Sequence, residues 1–308
     1  FEPLSSNNSR GSVCTMGKYI CTLIRSSMNV QRRQREMNVD AVLLMGGNIR
    51  GNADYEEGSF FSLEALEAEI KSDEVIAVVE MPGWLLAKGV QETHAGDPIP
   101  GWMQYDTGIS EDETVSPPVV TDVCYQPLDP DRVYRVATKI SDLTNGQSPS
   151  WTEYYKSHPE LLPPKGAYVN IQSELMSYFA RNMWRRLWDG ITDVLTEQGI
   201  AEEDCDPYKR LKVLDTNGDG VISLKEIQQG LDEILGKSVD GRETTLAKFV
   251  HDYADTTNSG QITLADFELF SLEMKETHLR DNWRLSFPKR RKVNPAEKVP
   301  PVLPQSTT

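Results

Sequence analysis

The sequence predicts an α+β domain with α/β-like alternation over residues 1–148, followed by an all-α unit over 201–276. A connector and a long helix over 149–200 join them, and a basic, proline-rich tail fills 277–308. Three observations carry this division. Short apolar runs closed by Gly or Pro alternate with amphipathic segments as far as about residue 148. Residues 170–195 place Leu175, Phe179, Met183, Leu187, Ile191 and Leu195 four apart, one stripe of a helix. Two acidic, glycine-bearing loops of twelve residues then stand 40 positions apart in an otherwise helical stretch.

Taken in order, residues 15–28 read as a helix with Thr15 as N-cap and Met16, Ile20, Leu23, Ile24 and Met28 on one stripe. A strand at 40–45 opens into the glycine loop "GGNIRG". A helix at 61–70 is capped by Ser62, with acidic residues in its first turns. Residues 74–83 form a strand closed by Pro-Gly, and 83–93 begin another helix. Pro and Gly crowd 97–118, read as loop with short strands, and 127–139 give a turn and a strand of alternating valines. In the long helix, Trp184 and Trp188 are read as packing residues. The tail, with "KRRK" and five prolines from Pro288 on, is expected to be disordered.

Composition narrows the functions. The net charge of −15 argues against nucleic-acid binding and suits a protein that holds cations. No apolar run is long enough to span a bilayer. Cys14, Cys21, Cys124 and Cys205 are scattered without a CxxC pair, which reads as free, buried thiols. The chain starts at Phe1 and is read as a piece of a longer polypeptide. The compartment is unspecified, with a cytoplasmic location preferred over secretion.

The strongest motif is "DTNGDGVISLKE", residues 215–226. Calcium takes hard oxygens from a twelve-residue loop at positions 1, 3, 5, 7, 9 and 12, with glycine at 6 for the sharp turn. Here these are Asp215, Asn217, Asp219, the Val221 carbonyl, Ser223 and Glu226, with Gly220 at the turn. Asp206-Pro207 starts the entering helix, whose Tyr208, Leu211 and Leu214 are expected to face inward, with Ile227, Leu231 and Ile234 on the exiting helix. The second loop, "DTTNSGQITLAD" at 255–266, offers Asp255, Thr257, Ser259, the Gln261 carbonyl, Thr263 and Asp266. It has two carboxylates against three, and Asp266 reaches less far than a Glu. Calcium is therefore expected to bind the first hand strongly. The second is expected to hold calcium weakly, to hold magnesium, or to serve as a structural partner. Ile222 and Ile262 should bridge the two loops, and Phe267, Phe270 and Met274 should line the last helix.

The glycine loop joins a wider set of motifs: "SSNNSRGSVCTMGKYICTLIRSSM", "DAVLLMGGNIRG", "FSLEALEAEIKSDEVIAVVEMPGWLLAKGVQE" and "YQPLDPDRVYRVATK". In this order they resemble the C-terminal, substrate-binding domain of the 5'-nucleotidase family of metallophosphoesterases. The resemblance implies that Arg10 and Arg50 face substrate phosphates, with Gly46 and Gly47 keeping two of the loop's three glycines. Asn48 stands where the third glycine belongs and Met45 where the loop's Asn belongs. The base-clamping aromatic positions fall near Ser72 and Ser141, and the family's "NGGDG" has become "NGQSP". The two-metal centre of such enzymes belongs to a preceding N-terminal domain, and the histidines here (His94, His158, His251, His278) are isolated. No catalytic residue is therefore assigned to this chain. Two readings stand. One is the C-terminal part of a calcium-binding phosphohydrolase acting on nucleotides or other phosphate esters, whose divalent catalytic metals lie on the preceding domain. The other is a non-catalytic, calcium-sensing scaffold.

Overall fold

The computed structural model describes residues 3–30, 38–56, 63–95, 101–235 and 243–278. The expected Ser62 cap, the Ile234 and Met274 side chains and the tail beyond His278 lie outside the described residues.

The first unit is built on a mixed sheet. Helix α1 (Thr15–Val30) precedes strand β1 (Ala41–Met45), and a 3-10 turn (Gly46–Asn48) follows it. Then come α2 (Leu63–Glu69), β2 (Val75–Pro82), α3 (Gly83–Thr93), β3 (Met103–Tyr105), β4 (Ser110–Asp112), β5 (Val119–Val123), β6 (Gln126–Pro127) and β7 (Val133–Thr138). The unit closes with α4 (Ile140–Thr144), α5 (Pro149–Ser157) and the short β8 (Val169–Asn170). The main sheet runs β3-β1-β7-β2-β8, with β1 and β7 parallel and the other pairs antiparallel, and β4-β5-β6 form a small second sheet.

Both faces of the main sheet are covered, which explains the unbroken apolar run of β1. Leu43 and Met45 join Val79, Val136, Leu86, Trp151 and Tyr155 on one face. Val42 and Leu44 meet Ile20, Ile24, Leu66 and Ile70 on the other. A strand buried on both sides has no polar alternation to show. Two local expectations change. Residues 149–157, read as connector, form α5, capped by Ser148 and buried through Trp151 and Tyr155. Thr15 does not cap α1: its hydroxyl donates to the Pro3 carbonyl and accepts from the Ser5 amide. The Gly17 amide goes instead to Cys14 Sγ.

Helix α6 (Ile171–Glu197) links the two units. Its start, with Ile171 and Leu175, packs under the main sheet beside α1. Farther along, Trp184, Leu187, Trp188, Ile191 and Leu195 enter a second core with α7 (Pro207–Leu214), α8 (Leu224–Leu235), α9 (Glu243–Ala254) and α10 (Leu264–His278). Trp184 and Trp188 lie against Phe267 and Phe270, the packing role expected of them. Arg210 ties α7 to α6, its guanidinium 4.2 Å from the Trp188 ring and donating to the Trp188 carbonyl. Tyr208, expected inward, is 51% exposed and lies under Lys212 instead.

Candidate functional site

The first loop is shaped by side chains that collect its own amides. Asp206 caps α7 by accepting from Lys209 N, with Pro207 in the first turn. At the end of α7, Asp215 Oδ1 accepts from the Gly218 and Asp219 amides (2.7 and 3.1 Å) and Oδ2 from Gly220 (2.9 Å). Gly218 and Gly220 sit at φ +75° and +85°, where any other residue is strained. Asn217 Oδ1 accepts from Asp219 N, and Asp219 Oδ1 from Val221 N.

Glu226 ties the two ends of the loop together. Its Oε1 accepts from the Thr216 amide (3.0 Å), while Oε2 accepts from the Ser223 amide (2.9 Å) and hydroxyl (2.8 Å). With Ser223 Oγ facing Glu226 N, this is the reciprocal capping box that starts α8. Burial pushes the Glu226 carboxyl up, but the Ser223, Asn217 and Thr216 donors outweigh it and hold it below the ordinary range. Among the described residues no three acidic, His or Cys side chains converge as they stand. The fit to calcium rests instead on the hard-oxygen donor set and on a backbone already turned at position 6.

The second loop repeats this plan with hydroxyls. Asp255 accepts from the Ser259 and Gly260 amides (3.0 and 2.7 Å), and Gly260 is at φ +83°. Asp266 is 1% exposed and accepts from the Thr256 and Thr263 hydroxyls (2.5 and 2.6 Å) and the Thr263 amide (3.0 Å). Ser259 Oγ donates to the Gln261 carbonyl at 2.7 Å, so two expected ligands satisfy each other. The Ile222–Ile262 bridge joins the loops with two 2.9 Å hydrogen bonds, as their spacing implied.

The glycine loop is assembled from four distant segments. Gly46 leaves room for no Cβ, because the Ser9 carbonyl lies against it and a Cβ would stand 3.0 Å from Arg10 Cα. Ser9 Oγ reaches the Gly46 and Ile49 carbonyls (3.1 and 3.2 Å), Gln104 Nε2 holds the Ser9 carbonyl (2.8 Å), and Gly46 N donates to the Trp102 carbonyl (2.9 Å). The Arg50 and Gly51 amides donate to the backbone and carboxylate of the buried Glu69 (2.9 Å each). Asn48 is buried and donates to Asp142 Oδ2 at 3.3 Å. Burial raises the Asp142 carboxyl to about 6, against the pull of Lys139 and the Met45 and Asn48 contacts.

The loop thus brings the Arg10 main chain onto Gly46, and both Arg10 and Arg50 are exposed. Among the described residues neither guanidinium has a hydrogen-bond or ion-pair partner. Ser72 and Ser141, the positions aligned with the aromatic clamp, are exposed as well. Sequence reasoning missed Ser9, Glu69, Gln104 and Asp142. They lie far apart in the chain and carry no spacing signal.

Comparison with known proteins gives two kinds of match. A family model for the EF hand matches residues 209–231. Among solved structures, a 5'-nucleotidase precursor from Thermus thermophilus is 17% identical at a TM-score of 0.39, over 57% of this chain and 34% of that one. The NAD nucleotidase NadN of Haemophilus influenzae is 12% identical at a TM-score of 0.38, over 55% of this chain and 31% of that one. Both are nucleotidases, and this chain spans about a third of each. No curated protein matches the chain.

Proposed function

We propose that residues 215–226 bind calcium and that this EF hand serves a nucleotidase-like domain whose glycine loop receives a phosphate group. The observation that carries the calcium reading is the complete donor set of Asp215, Asn217, Asp219, Val221, Ser223 and Glu226 on a loop turned at Gly218 and Gly220. A divalent cation there offsets two of the three carboxylate charges and ties the end of α7 to the start of α8. In this reading the second loop is a structural partner, because it offers two carboxylates against three and its closing Asp266 is shorter than Glu226.

For the first unit, the reading is a phosphate site framed by Arg10 and Arg50, and it supplies binding without hydrolysis. Phosphate-ester cleavage by the two-metal route requires paired divalent ions, which the enzyme reading assigns to a metallophosphoesterase partner domain. The isolated chain should therefore release no phosphate from nucleoside monophosphates with manganese, zinc or cobalt added. The scaffold reading draws on Ser72 and Ser141, which offer no ring for a base. Calorimetric titration of the full chain with calcium tests the first claim: one tight site is expected, and its absence would refute the assignment. Titration with inorganic phosphate and with adenosine and cytidine monophosphates tests the second. Binding of the anions without base preference supports it, and no binding leaves the scaffold reading alone.

A further inference from the structure

The α3–α5 face carries an aromatic row that neither proposed site uses. Trp84, 47% exposed, lies edge-on to Tyr154 with centroids 6.2 Å apart. Tyr154 in turn meets His158 at 4.7 Å, and Leu161, 40% exposed, continues the row by donating its amide to the His158 carbonyl. The row is held rigidly. Trp84 N donates to the Pro130 carbonyl, His158 Nδ1 lies 2.9 Å from the Tyr154 carbonyl, and Trp151 and Tyr155 of the same helix are locked in the core. The turn that meets Trp84 and the helix that carries Tyr154 also hold exposed Asp129, Asp131 and Glu153, together with exposed Arg132 and Lys156.

Exposed aromatic rows with carboxylates beside them suit one kind of ligand chemistry. Proline rings pack on aromatic faces, and an extended proline helix loses little entropy on docking. The chain's own sequence contains a proline-rich segment. Residues 298–304 read "KVPPVLP", placing Lys298, Pro301 and Pro304 at three-residue spacing.

We propose that the Trp84–Tyr154–His158 row is a docking surface for the chain's own segment 298–304, with Lys298 toward the Asp129, Asp131 and Glu153 carboxylates. Reach permits it. Lys298 lies 20 positions beyond His278, where α10 ends. Fully extended, that stretch spans about 65 Å, while the 27-residue α6 between the two units is about 40 Å long. Charge favours it too: the segment 279–308 is basic, in a chain whose net charge is −15.

The test uses the full chain with ¹⁵N-labelled tryptophans, the Trp84 indole signal being assigned through Trp84→Phe. Replacing Pro300, Pro301 and Pro304 by alanine should move the Trp84 indole resonance. A synthetic peptide of residues 295–308 added to that variant should return it to its original position. Lys298→Glu in the peptide, or Tyr154→Ala in the protein, should weaken the peptide at least tenfold. A Trp84 resonance unmoved by loss of the prolines overturns the proposal. Peptide binding without any effect of the chain's own prolines also overturns it, and assigns the row to a proline-rich segment of another protein.

Discussion

The two polar loops treat their carboxylates in opposite ways. In the calcium loop, Glu226 is buried but surrounded by amide and hydroxyl donors, and its carboxyl is held below the ordinary range. Beside the glycine loop, Asp142 is more deeply desolvated, and burial outweighs Lys139 and the Met45 and Asn48 contacts and lifts it to about 6. The first environment keeps a negative charge in place without a cation, so the loop is prepared for one. The second keeps its acid neutral only below about pH 6, so its charge beside the loop depends on pH. The balance between burial and donors decides which way a hidden carboxyl moves.

The largest test of this contrast is Glu226→Gln. Removing the closing ligand's charge should weaken the tight calcium site by about 100-fold, read by calorimetry. Asp266→Asn should leave that tight site unchanged, because the second loop is held by its own hydroxyls. Equal losses from both substitutions would mean that the two hands bind alike and that the contrast between them is wrong.

How legible each site was follows from how each is built. The calcium loop is one contiguous stretch, so Asp215, Gly220 and Glu226 could be placed by counting. The Ile222–Ile262 bridge followed from matching positions in two such loops. The glycine loop draws on Ser9, Arg10, Gln104, Glu69 and Asp142, which meet only through strand order and helix packing. Its Arg50 was visible as a motif, but the reason for Gly46 was not. That residue is small because the Ser9 backbone lies against it, a contact across 37 positions. Helix α5 was hidden by the prolines around it, and its buried Trp151 and Tyr155 carried no periodic stripe long enough to read.

The glycines of the two loops give the next, smaller contrast. Gly46→Ala drives a Cβ into the Ser9 carbonyl and should destabilise the first unit by about 1–3 kcal/mol in thermal or denaturant unfolding. Gly218→Ala meets nothing within 4 Å, so its penalty comes from φ +75° alone and should be about 1 kcal/mol. If the two substitutions cost the same, close approach is not what selects glycine at position 46. Arg50→Ala should weaken phosphate binding about tenfold, the loss of one charge-assisted contact, and by the same factor for adenosine and cytidine monophosphates. A strong base preference would show that an aromatic residue clamps the base after all.

The smallest expected effect is the pH dependence of Asp142. Its folded carboxyl titrates near 6, above the ordinary value of 3.8, so the folded state holds a proton that the unfolded state has released between those two values. Stability from this group is therefore present below about pH 4 and is lost as pH rises through about 6. Asp142→Asn keeps a carbonyl to accept from Asn48 and removes the titration. Stability measured for both proteins at pH 7 and pH 5 should move in favour of the wild type on acidification, by roughly 1 kcal/mol. The comparison between variants cancels the many surface carboxylates, including Glu226, whose lowered value gives the opposite slope. A difference that stays constant across this range would mean that Asp142 is charged in the folded protein throughout. The glycine loop would then hold a fixed negative charge beside Asn48 over the whole range, and the burial of Asp142 would not be what sets its titration.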